Sequence, residues 1–93
     1  MKTFLITYDL KSKDKDYNSL YENIKTAENW WHYLESVWII TTTESLGTWT
    51  DKLHTCMANS DNLLIVEIPS TKANGWLPQK AWDWLKENTS INS

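Results

Sequence analysis

The sequence predicts an α+β domain in which strand, helix, strand, strand, helix and strand follow one another, with one further short helix near the C-terminus. Three observations carry this. β-rich apolar runs stand at Thr3–Tyr8, Val37–Thr43 and Leu63–Ile68; two stripes at helical spacing lie between them; and both alternating side-chain sets of the strands are apolar. The order suits two interleaved strand-helix-strand units, the ferredoxin-like β-α-β-β-α-β sandwich, with both helices on one face of the sheet.

The first strand begins almost at residue 1 and ends abruptly at Asp9. Leu10 to Asp16 is polar and turn-like, and Tyr17, Leu20, Tyr21, Ile24 and Ala27 then recur at the spacing of an amphipathic helix. Asp14 or Asp16 is suited to cap it, since a short carboxylate accepts hydrogen bonds from first-turn amides. Asn29 to Glu35 alternates Trp30, His32 and Leu34 with Trp31, Tyr33 and Glu35, and joins the run from Val37 near Ser36, as two strands or one bent strand. Leu46, Trp49, Leu53, Cys56 and Met57 mark the second helical stripe, starting between Ser45 and Thr48. Asn59–Asn62 is a turn signal, and the following apolar strand stops at Pro69.

Apolar residues on both strand faces require a cover on the side away from the helices. The segment 70–93 can supply it: Trp76, Leu77, Ala81, Trp82 and Leu85 form an apolar set around a short helix whose first turn accommodates Pro78. A second subunit is the alternative cover. Asn88 to Ser93 reads as a frayed end. One domain over 1–93 is expected, with a core at 1–69 and an extension at 70–93.

Composition narrows the function. Ninety-three residues bury a limited core, so help from a partner chain fits, and seven Trp, four Tyr and one Phe supply material for a core or an interface. Twelve Asp and Glu stand against nine Lys, with no arginine, the usual bidentate reader of phosphate and guanine. A free-standing duplex binder is therefore not expected. Lys11, Lys13 and Lys15 are interrupted by Asp14 and Asp16 and read as a solvated loop. The single Cys56 excludes an internal disulfide and reads as packing material; no Cys/His spacing resembles a zinc site. With no signal-peptide pattern and no apolar run near the roughly 18 to 20 residues that span a bilayer, a soluble cytoplasmic protein is expected.

Asp9 is the candidate catalytic and metal-binding residue. If Phe4, Ile6 and Tyr8 pack under the helices, Asp9 points to the opposite, partner-facing side. A residue near a two-fold axis meets its own copy, so one Asp per chain becomes a carboxylate pair able to hold magnesium and cut a phosphodiester. The plainer reading is that Asp9 binds loop amides after the strand. Tyr8 and Trp38, with Trp76, Trp82 and Trp84 of the extension, are the candidate binding residues; Trp30, Trp31 and Trp38 also suit base stacking, although such platforms normally sit beside cationic grooves. His32 and His54 stand on different elements and read as surface or interface residues.

Tyr8-Asp9 closing the first strand, together with Glu35-Ser36-Val37-Trp38-Ile39-Ile40 and Asp61-Asn62-Leu63-Leu64-Ile65-Val66, resembles the SinR-like small proteins related to the CRISPR-associated Cas-two family. The resemblance covers residues 1 to 69. It implies a ferredoxin-like homodimer and, in nuclease members, a metal-dependent phosphodiesterase whose aspartate corresponds to Asp9. The chain departs from that pattern in lacking arginine and in its Trp-rich extension.

Three functions are thus in view: a homodimeric interaction or assembly module engaging another protein; a magnesium-dependent RNA or DNA endonuclease using paired Asp9; and a site for a nucleotide or small ligand at the dimer interface. The only glycines, Gly47 and Gly75, form no phosphate-binding loop.

Overall fold

A computed structural model describes residues 1–92. Four strands, β1 (Lys2–Asp9), β2 (Asn29–Leu34), β3 (Val37–Thr42) and β4 (Asn62–Glu67), form one sheet in the order β2-β3-β1-β4 with every neighbouring pair antiparallel. Helix α1 (Asn18–Ile24) connects β1 to β2, and α2 (Leu46–His54) connects β3 to β4. The chain is therefore α+β, with an antiparallel sheet rather than a parallel one.

One face of the sheet packs under α1 and α2. Phe4 and Ile6 of β1 and Trp38 and Ile40 of β3 meet Leu20, Ile24, Trp49 and Leu53 in a core from which water is almost wholly excluded. Each such aliphatic or aromatic side chain contributes about 1.5–3 kcal/mol on burial. Trp49 keeps its indole N–H satisfied by donating to Thr42 Oγ1 at 3.2 Å. Ser45 is the N-cap of α2, accepting from the Thr48 amide at 3.1 Å, which fixes the helix start. At α1 the Asp16 carboxylate accepts from the Asn18 amide at 2.9 Å, although Tyr17 occupies the N-cap position; Asp14 takes no part.

The second face is covered over β2, β3 and part of β1, but not over β4, by the chain's own C-terminal segment. Helix α3 (Gln79–Asn88) seats Ala81 and Leu85 on Trp31 and Ile39, and the Trp31 indole donates to the Ala81 carbonyl at 3.2 Å. Two short strands, β5 (Thr71–Lys72) and β6 (Ile91–Asn92), pair in parallel and frame this layer. Residues through Asn92 are consequently not a frayed end: Ile91 is buried in the second core and anchors an otherwise polar stretch, while Ser93 lies outside the described residues. Pro78 sits at the N-cap rather than within the first turn, and Trp76 lies in the preceding loop, 98% exposed instead of joining the apolar set.

β2 and β3 are two strands joined at Glu35-Ser36, where Ser36 takes a left-handed φ of 60°. β2 carries a register irregularity between Trp31 and Leu34. No helix among the described residues is long and apolar enough to cross a membrane.

Candidate functional site

The alternation of β2 places Trp30 and His32 on the helix-side face, beside Trp38 of β3, and the last turns of α1 bring Tyr21 and Lys25 over them. The C-terminal end of β1 adds Tyr8 and Asp9. Together they line an open cleft of about 740 Å³. Its floor is Trp38, only 2% exposed, with the His32 ring lying parallel on it at a centroid distance of 3.8 Å and an interplanar angle of 2°. Tyr21 is also nearly parallel to Trp38, at 6.3 Å and 20°, whereas Trp30 is tilted 53° to Trp38 at 5.5 Å and Tyr8 41° to Tyr21 at 6.2 Å, so tilted rings flank a stacked centre.

Hydrogen bonds fix this arrangement. The Trp38 indole donates to the Tyr8 hydroxyl at 2.9 Å. His32 Nδ1 lies 2.9 Å from the Val37 carbonyl, and because a carbonyl only accepts, Nδ1 carries the proton. Burial raises the Tyr8 phenol above its ordinary value; the Trp38 hydrogen bond opposes this, and the charge of Glu35 adds to the rise. The Lys25 ammonium lies 5.4 Å from the Trp30 ring centroid and 4.0 Å from Glu22.

Of the residues singled out from sequence, Tyr8, Asp9 and Trp38 come together here. Asp9 is at the rim, solvent-exposed and 3.7 Å from Lys11 Nζ. Within one chain this donor set does not fit a magnesium ion: the nearest charged partner of Asp9 is a cation, and no group of three or more His, Cys, Asp or Glu converges among the described residues. Trp82 and Trp84 are separated from the cleft by the sheet, packed against the second core, with Trp82 also lining a shallow groove of about 590 Å³ beside Gln79 and Asp83. Trp76 touches neither core. Tyr21, Lys25, His32 and Glu35 were not singled out as cleft residues by sequence; the alternation of Trp30 and His32 was the available signal for that shared face.

A second feature lies at the opposite edge of the sheet. β4 pairs only with β1, and on the face shared with Leu5 and Thr7 it leaves Leu64 57% and Val66 42% exposed because α3 covers the β2 side. The Ile68 amide donates to the Thr3 carbonyl at 2.8 Å. By the alternation of an antiparallel ladder, Leu64 and Val66 then bond inward to β1, and the main-chain groups of Leu63, Ile65 and Glu67 face outward without a strand partner.

Fold and site together define a small α+β domain with helices on both faces of one antiparallel sheet, an aromatic cleft at one edge and an open apolar strand at the other. Neither a protein-family model, nor a curated protein, nor a solved structure matches the chain.

Proposed function

We propose that the chain is a non-catalytic interaction module that works as a homodimer, on a ferredoxin-like core of the kind found in the Cas-two-related proteins it resembles. The sheet order β2-β3-β1-β4 with α1 and α2 on a common face supports that core, since two interleaved strand-helix-strand units produce this order.

The open β4 edge carries the homodimer. An exposed edge strand with apolar side chains and free main-chain groups is a template for another strand, and proteins usually blunt it with bulges, charge or proline. β2 has its irregularity near Trp31. β4 runs Asn62-Leu63-Leu64-Ile65-Val66-Glu67, with no bulge or proline before Pro69 and its one charge, Glu67, at the end of the strand. Pairing β4 antiparallel with its copy about a two-fold at Ile65 uses the outward-facing groups of Leu63, Ile65 and Glu67. It also sets Leu64 against Val66 of the partner subunit, and Val66 against Leu64 of the partner subunit, withdrawing all four from water.

This geometry bears on catalysis. Asp9 stands opposite Asn62, three residues from Ile65 and one strand further out. At about 3.4 Å per residue and about 4.8 Å between strands, Asp9 and Asp9 of the partner subunit are roughly 25 Å apart, too far to share a magnesium ion. The β4 dimer and the paired-Asp9 nuclease therefore exclude each other.

Light scattering at micromolar concentration tests the reading with wild type and the double variant Leu64→Lys, Val66→Lys, whose positions are exposed enough to leave folding intact. Wild type is expected at twice the chain mass and the variant at the chain mass, since lysines then oppose one another. A monomeric wild type ends the homodimer, and a dimer that survives both lysines removes β4 from it. Magnesium-dependent cleavage of RNA or DNA that Asp9→Asn abolishes would overturn the non-catalytic part.

A further inference from the structure

We propose that the cleft between α1 and β2 binds an organic ammonium group, held against the faces of Trp30 and Tyr21 and paired with the carboxylate of Glu35.

The walls have the required chemistry. Aromatic faces carry negative potential, so rings that turn an open face toward one space attract a cation. Tyr8, Tyr21, Trp30 and Trp38 come from four different elements and meet at centroid distances of 5.5 to 6.3 Å. Trp38, nearly parallel to Tyr21 and covered by His32, is the closed floor, and Trp30, tilted 53° to it and 41% exposed, is the open wall beside Tyr21. The volume of about 740 Å³ accommodates a small alkylammonium ion with its substituents.

The charges select the sign. Two carboxylates, Asp9 and Glu35, one ammonium, Lys25, and the His32 imidazole, whose Nδ1 is engaged by the Val37 carbonyl, line the cleft. Asp9 is neutralised by Lys11 at 3.7 Å and Lys25 by Glu22 at 4.0 Å, whereas Glu35 has no ion-pair partner among the described residues. One uncompensated negative charge beside an aromatic enclosure favours a cation and disfavours the phosphate of a nucleotide.

The chain also displays the interaction in miniature, since its own Lys25 ammonium already lies over Trp30 at 5.4 Å. Lys25 is half-exposed and loosely paired, so it can swing into water when another cation arrives. It thereby acts as a weak internal competitor. The cleft lies at the β2 edge, opposite β4, and the inference stands whether or not the chain dimerises.

The test titrates the whole protein with choline chloride and, separately, with the neutral isostere 3,3-dimethylbutan-1-ol, at constant ionic strength, following the tryptophan indole N–H signals by NMR. Choline is expected to shift the Trp30 and Trp38 signals saturably, with the alcohol about three- to thirtyfold weaker. Glu35→Gln, at an exposed position, should weaken choline and leave the alcohol little changed, Trp30→Ala should weaken both and choline more, and Lys25→Met should strengthen choline. Equal binding of the two probes, saturable shifts confined to tryptophans outside the cleft, or no saturable shift in wild type and Lys25→Met would each overturn the inference.

Discussion

His32 lies flat on Trp38, ring centroids 3.8 Å apart, while the edge of the same indole donates its N–H to Tyr8. Trp38 is thus held from two directions by residues of two different strands, β2 and β1. Its place in the fold explains the arrangement: it is buried deeply enough to require a hydrogen-bond acceptor, yet stands one strand from the open β2 edge, where an exposed ring can cover it. The floor of the cleft is consequently fixed by a ring contact and a hydrogen bond, and the more exposed Trp30 and Lys25 stand over it as walls.

Tyr8→Phe removes the acceptor of the Trp38 N–H without changing ring volume. A buried donor left unpaired costs about 1–3 kcal/mol, so urea denaturation should show a lower midpoint by that amount with an unchanged slope. A loss below about 0.5 kcal/mol, within the range of a surface substitution, would mean that water reaches the indole and that the cleft floor is looser than described.

Leu85→Ala tests the second core. Leu85 is 4% exposed beneath α3, and truncation of a buried leucine costs about 2–5 kcal/mol. The same change at a helix lying loosely on the sheet would cost far less. A midpoint shift corresponding to less than about 1 kcal/mol would show that α3 does not seal this face.

The strands were legible because their apolar, β-branched runs are long and bounded by turn residues, as at Leu63–Ile68 before Pro69, and the stripe through Leu20 and Ile24 gave α1 for the same local reason. The end of the chain was not. Ile91 is one apolar residue among Asn, Thr and Ser, and its burial depends on β5, about 20 positions earlier, which no local pattern reports. Apolar content likewise placed Trp76 with the α3 set, but the chain leaves that face at Gly75, whose φ of 149° is accessible to glycine and strained for other residues. At the cleft, Tyr8 and Trp38 were named individually, yet their hydrogen bond spans 30 positions. Asp61 stands in the sequence as a turn residue and the start of a strand motif, and its role as a hydrogen-bond acceptor is invisible there because its partner Tyr17 is 44 residues away.

Ser36→Gly should stabilise the protein. Ser36 has a φ of 60° in the turn between β2 and β3, a conformation that costs an L-residue roughly 1–2 kcal/mol and glycine almost nothing. The larger unfolded-state freedom of glycine offsets part of this, so the net gain is expected at about 0.5–1 kcal/mol, while Ser36→Val should destabilise by at least as much. Thermal unfolding of both variants checks the pair. A destabilised glycine variant with an unaffected valine variant would contradict the left-handed turn.

Acid sensitivity should trace to Asp61. Its carboxylate accepts from the Tyr17 hydroxyl at 2.8 and 2.7 Å, the Lys11 amide at 2.8 Å and the Ala58 amide at 2.7 Å, tying the loop after β1 to the turn before β4. Desolvation pushes its pKa upward, but these hydrogen bonds outweigh it and hold the carboxyl below its ordinary value. A group whose folded pKa is depressed contributes stability that is fully present above its unfolded value, about 3.9, and is lost as pH falls through the folded value. Glu28, lowered by the Thr43 amide and hydroxyl, acts with the same sign at the other end of the sheet. Melting temperatures measured from neutral pH down through this window should therefore fall for wild type. For Asp61→Asn they should start lower and fall less steeply, with Glu28 supplying the remaining slope. Parallel curves for the two proteins would show that Asp61 does not set the acid limit, and a variant as stable as wild type at neutral pH would show that the amide replaces the carboxylate in all of these bonds.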